Sequence, residues 1–137
     1  MSVAQWDTTL RLGFADIDDQ HHRLVDLINE FDESVHSGRT GDVLTCIIHD
    51  LLHYAIHHFA FEETLMDQHR LDCGQAHKAE HQQLLNQMRS IQADIATGSA
   101  QAGELLVPLW TWLTRHLHHA DVTLVQELKA KAVKSLL

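Results

Sequence analysis

Histidine is the residue in excess in this chain, thirteen among 137 positions. Neutral imidazole is a good ligand for first-row transition metals and carries a proton near neutral pH. The question is which imidazoles share a face. His58 and Glu62 are spaced i, i+4, and so are His77 and His81, so each pair lies on one side of a helix, one turn apart. At about 100° per residue, these four fall on stripes that are otherwise apolar, and so do His21 and His116. His21 lies between Ile17 and Leu24/Val25, and His58 and Glu62 lie between Leu51/Ala55 and Leu65. His77 and His81 lead into Leu84 and Met88, and His116 follows Trp112 and Leu113. A single core imidazole is ordinarily satisfied by a hydrogen bond. Five imidazoles and a carboxylate without partners would cost several kcal/mol in desolvation. A metal removes that cost by accepting their lone pairs.

The remaining histidines act as a control. His49, His53 and His57 form an i, i+4, i+8 ladder, but His49 lies about 180° and His53 about 140° from His58 on the wheel. That ladder is expected to face solvent, as are His22, His36, His69, His118 and His119. His22 and His57 flank candidate ligands and could hydrogen-bond to them from outside.

Four long helices must position these groups. One proline, Pro108, and six glycines leave room for them. Residues 1–15 read as an irregular arm carrying Trp6 and Phe14, with Asp16 or Asp18 capping a first helix that runs to about His36. Ser37-Gly38-Arg39-Thr40-Gly41 reads as a turn, and a second helix runs from about Asp42 to His69. Asp72-Cys73-Gly74 breaks it. A third helix covers about Gln75 to Ala96, and Thr97-Gly98-Ser99 leads into a fourth from about Ala102 to Ala120. Leu105, Leu109, Trp112 and Leu113 form the expected inner face of the fourth. Short connections between long helices imply an all-α, up-down-up-down antiparallel four-helix bundle. The expected organisation is one domain over 1–137: an arm at 1–15, a bundle at 16–120 and a helical tail at 121–137.

Length and 45% hydrophobic residues fit one packed core. A formal charge of −9 argues against nucleic acid and against an anionic membrane surface as partners. Met1 to Thr9 lacks the pattern of a signal peptide. Cys46 and Cys73 do not make a disulfide framework, so a cytoplasmic setting is expected.

The motifs, taken in order, resemble the hemerythrins, and most closely the bacteriohemerythrin type. The matching blocks are Ile17-Asp18-Asp19-Gln20-His21, His58-Phe59-Ala60-Phe61-Glu62-Glu63-Thr64-Leu65-Met66, His77-Lys78-Ala79-Glu80-His81, and Trp112-Leu113-Thr114-Arg115-His116 with Asp121 beyond. The resemblance as a whole covers about residues 6 to 121. Each is weak alone; four in order on four expected helices are specific. The resemblance implies two non-haem iron ions with a bridging oxo or hydroxo group. It assigns His77, His81 and His116 to one iron and His21 and His58 to the other, with Glu62 and Asp121 bridging. Asp121 comes from the resemblance alone. Its i, i+5 offset from His116 turns it about 140° away on an ideal helix, so the helix must bend or end near His118–Asp121. Val122-Thr123-Leu124 departs from the family, whose members often carry an aromatic residue after this aspartate.

The resemblance also implies reversible O2 binding at the open position of the His21/His58 iron, for carriage, storage or delivery. Leu24, Phe59, Trp112 and Leu113 are the candidate lining of a small apolar O2 pocket. The expected protein is not an enzyme: only Glu33-x-x-His36 follows the Glu-x-x-His pattern of ferritin-like di-iron enzymes, without a second copy. The alternatives are an oxygen or redox sensor signalling to a partner and, less favoured, a di-iron oxidase or iron-storage protein. A protein partner would be an oxygen consumer or a signalling protein.

Overall fold

A computed structural model of the chain describes residues 10–39, 41–98 and 102–131. Trp6, the rest of the arm before Leu10 and residues 132–137 of the expected tail lie outside them, as does the side chain of Leu105. The described chain is all helical: α1 (Ala15–His36), α2 (Gly41–Gln68), α3 (Gly74–Ala96), α4 (Ala102–His118) and α5 (Ala120–Ala130). α1 packs on α2 and α4, α2 on α3, and α3 on α4, closing a ring of four antiparallel helices, with α5 against α4.

Local chemistry sets the ends. Gly38 (φ 69°) and Gly98 (φ 75°) occupy the left-handed position just past α1 and α3, where a Cβ would be strained. The α2–α3 reversal turns at Arg70, with φ 51°, while Gly74 already begins α3. The α1 start departs from expectation. Phe14 occupies the capping position without a side-chain cap bond. Asp18 reaches backward instead and accepts hydrogen bonds from the backbone N–H of Leu12 (2.8 Å) and Gly13 (3.0 Å). The acid that looked like a helix cap thus folds the arm onto the bundle.

The inward face of α4 is Leu106, Leu109, Leu113 and Leu117, all buried. Trp112 departs from the expected stripe and is 42% exposed. One large apolar cluster, including Leu24, Ile28, Phe31, Ile48, Leu51, Leu84, Met88 and Leu113, fills one part of the interior. A second, comprising Phe14, Ile17, Leu65, Met66, Leu71, Leu124, Val125 and Leu128, joins the arm, α2 and α5. On α1 His21 falls between Ile17 of one cluster and Leu24 of the other; on α2 Glu62 falls between Phe59 and Leu65. The polar residues therefore form a layer between two apolar cores. No helix among the described residues is long and apolar enough to cross a membrane.

Candidate metal centre

Five imidazoles and two carboxylates meet in that layer. His21, His58, Glu62, His77, His81, His116 and Asp121 are all buried, none more than 2% exposed. α1 supplies His21, α2 His58 and Glu62, α3 His77 and His81, α4 His116 and α5 Asp121. The last placement needs a break in the helix. α4 ends at His118, His119 leaves helical geometry (φ −121°, ψ −67°), and α5 begins at Ala120. Asp121 then lies in the first turn of α5 and points inward.

The carboxylates divide their oxygens between two groups of imidazoles. Glu62 Oε1 lies 3.3 Å from His77 Nε2 and 3.0 Å from His81 Nε2. Glu62 Oε2 lies 3.5 Å from His21 Nε2 and 3.4 Å from His58 Nε2. Asp121 Oδ1 lies 2.9 Å from His77 Nε2 and 3.2 Å from His116 Nε2, while Oδ2 lies 3.0 Å from His21 Nε2. The result is two ligand sets, Glu62/His77/His81/His116/Asp121 and His21/His58/Glu62/Asp121, which share both acids.

The pattern of satisfaction tests whether a metal fits. Nε2 of His21, His58, His77 and His116, Oε2 of Glu62 and both oxygens of Asp121 are buried without a hydrogen-bond partner. They are close to one another but not aligned as donors and acceptors. Buried polar atoms are rarely left so, and lone pairs converging on common points are what a cation needs. Imidazole and carboxylate together suit iron and its neighbours, and the donors exceed what one tetrahedral zinc takes. The residues fit a pair of metal ions.

Three imidazoles are oriented from outside by groups that periodicity did not single out. His58 Nδ1 donates to Gln20 Oε1 at 2.6 Å, His81 Nδ1 to Glu63 Oε2 at 2.8 Å, and His116 Nδ1 to Glu80 Oε1 at 3.3 Å. Such bonds fix the tautomer that turns Nε2 toward a metal. The signal was present in the sequence, because each partner is next to an inward residue: Gln20 before His21, Glu63 after Glu62, Glu80 before His81. The residues expected in this part are elsewhere. His22 is exposed, 3.5 Å from Asp26, and His57 is exposed beside Tyr54. His49 and His53 are exposed as expected, their rings 4.3 Å apart.

Electrostatics follow from packing two acids among imidazoles without water. Burial disfavours an imidazolium, but the Asp121 and Glu62 carboxylates outweigh it and raise His21 to about 9, His77 to about 9 and His116 to about 10. At His58 burial wins and lowers the pKa to about 4. Burial and mutual repulsion resist the charges of Glu62 and Asp121, yet the surrounding imidazoles hold both well below the usual carboxylate range.

Of the four expected pocket-lining residues, Leu24, Phe59 and Leu113 are buried. Phe59 stacks on the His81 ring (centroids 4.0 Å apart, planes 10° apart) and meets His116 edge-on at 6.1 Å. Trp112 needs correction. It lies on the outer side of α4 and borders a surface cleft of about 190 Å³ with Glu80, Gln83, Leu84, Arg115 and His116. Leu106, Leu109, Leu113 and Leu117 occupy the inner face of α4 instead.

A helical bundle whose interior presents two imidazole–carboxylate sets defines a metal-binding protein of the bundle class. The chain belongs to the hemerythrin family: the model of the hemerythrin HHE cation-binding domain matches residues 12–128. It is similar to the bacteriohemerythrin of Pseudomonas aeruginosa (strain LESB58), with 30% identity over 129 residues, 94% of this chain and 84% of the relative. It is also similar to that of Stenotrophomonas maltophilia, with 28% identity over 133 residues, 95% of this chain and 84% of the relative. Among solved structures, a crystal structure of a hemerythrin mutant shares the fold with a TM-score of 0.84 at 24% identity, covering 93% of this chain and 98% of that one.

Proposed function

We propose that this chain binds O2 reversibly at a pair of non-haem irons held by His21, His58, Glu62, His77, His81, His116 and Asp121, and that it acts as a carrier or store rather than an enzyme. The observation that carries this reading is the unequal division of donors. One set offers five groups and the other four. A metal in the first set would have most of its coordination filled by protein groups, and one in the second would keep more room for a small exogenous ligand. A pair of ferrous ions held there would supply a site for O2 and two electrons, the chemistry needed to take it up and release it unchanged.

The protein's own part is to hold, orient and exclude. Glu62 and Asp121 keep the two halves at a fixed spacing, because each acid is tied to both. Gln20, Glu63 and Glu80 fix the imidazole tautomers. Leu24 and Leu113, fully buried one turn from His21 and His116, and Phe59 at His81 provide an apolar surround that keeps water and stray protons away. The remaining buried acids support binding rather than turnover. Among the described residues these are Asp16 in the first turn of α1 and Asp32 near its far end, 3.1 Å from His36. Neither is placed among the seven converging groups to serve as an acid or base.

Anaerobic loading with Fe(II), followed by cycles of O2 pressure, tests the reading. A visible charge-transfer absorption should appear and vanish with O2 over repeated cycles. Irreversible oxidation on first exposure would overturn carriage and favour a sensor acting through a protein partner. Sustained consumption of an added reductant would favour an oxidase.

A further inference from the structure

The outer hydrogen bonds divide as unequally as the ligands. On the three-imidazole side, His81 and His116 each donate to a carboxylate, Glu63 and Glu80. On the two-imidazole side, His58 donates to the neutral amide oxygen of Gln20 at 2.6 Å. The remaining imidazole of each side, His77 on the first and His21 on the second, has a buried Nδ1 with no hydrogen-bond partner, so the sides differ in the acceptor that their bonded rings meet, carboxylate against amide. A carboxylate acceptor draws the Nδ1 proton and makes the imidazole a stronger donor to a metal; an amide does so far less.

We propose that Gln20 is a positioning residue that keeps the His21/His58 half of the centre as the weaker, later-filled half. It holds the His58 ring in place while withholding the negative charge that Glu63 and Glu80 give to the other half. The inference rests on the two-metal reading of the site and adds to it an order of loading. The first metal enters the His77/His81/His116 set, which has more donors and the more basic ones. The second enters at His21/His58. The same neutral surround would make His58 a less electron-rich donor to a metal held there.

Calorimetric titration of the metal-free protein with Zn²⁺ at fixed pH reads the order directly, without O2 or redox chemistry. Two steps are expected, the second weaker by about 10–100-fold, the range typical for outer partners of metal-bound histidine. Gln20→Glu, which preserves shape, should strengthen the second step about tenfold and draw the two together. Glu80→Gln should weaken the first step and leave the second in place. Gln20→Leu, which removes the acceptor, should weaken the second step, and circular dichroism on each variant checks that the bundle is intact. A single unresolved step in the native protein, or a second step unmoved in a folded Gln20→Glu protein, overturns the inference. A split isotherm in a protein that fails the O2-cycling test would sink the carrier reading and leave this one standing.

Discussion

At the scale of single residues, the site is a set of proton-holding groups that must give up protons to take up metal. With His21 and His77 at about 9 and His116 at about 10 in the metal-free fold, all three are charged at neutral pH. Metal uptake should therefore release protons near pH 7, and apparent affinity should climb as pH rises toward 9; a proton inventory by calorimetry in buffers of different ionisation enthalpy checks both. The same shifts set the stability of the empty protein. Their raised pKa values give stabilisation that is complete below the unfolded value near 6.5 and is lost as pH rises through about 9–10. Glu62 and Asp121, held low, contribute above their unfolded values and lose that contribution only as pH falls through their depressed ones. The metal-free protein should thus weaken between pH 7 and 10 in denaturant titrations, while the metal-loaded form should not. Asp121→Asn removes a charge that both halves share, so it should lower affinity in both steps, whereas His116→Ala should affect mainly the three-imidazole step. Phe59→Ala removes a ring stacked on His81 and buried in the core, and should cost about 3–5 kcal/mol in chemical denaturation.

At the scale of elements, helix positions were legible because punctuation and periodicity agreed. Ser37-Gly38 and Thr97-Gly98 end α1 and α3, and the i, i+4 pairs lie on the apolar stripes where spacing put them. Two features were not legible, for different reasons. Trp112 lies near the edge of the α4 stripe, and a large apolar residue there fits either side until the neighbours are known; Leu106 and Leu117 fill the interior instead. Asp121 depends on a helix break that no glycine or proline announces. The break is imposed from outside: Leu124, Val125 and Leu128 pack against Phe14, Ile17, Leu65 and Met66. Glu127 Oε1 accepts the backbone N–H of Asp72 at 2.8 Å and of Cys73 at 3.4 Å, an anion at the start of α3 supplied by α5. Lys131 Nζ donates to the His69 carbonyl at 2.6 Å, and Lys129 Nζ to that of Leu12 at 3.2 Å. Glu127→Ala should cost about 1 kcal/mol of stability. It should also raise amide exchange along α5, with weaker metal retention following from a looser Asp121.

At the scale of the whole molecule, the polar layer divides the interior into two apolar cores, and a metal pair held by that layer would join them. The layer holds two buried carboxylates among imidazoles, and several of these atoms have no hydrogen-bond partner of their own. Loading should raise the melting temperature by on the order of 10 °C, given about 2.7 kcal/mol of stabilisation for each site at a hundredfold excess over its dissociation constant. Chelation should reverse it, as a thermal melt with and without a strong chelator will show. The chain order of the donors adds a matter of timing. Every ligand but one is carried by α1 to α4, and Asp121 arrives only with α5. A chain emerging from the ribosome can therefore assemble an open cup of histidines before the piece that shuts it exists, and docking of that last helix would be the step after which ions are kept rather than exchanged.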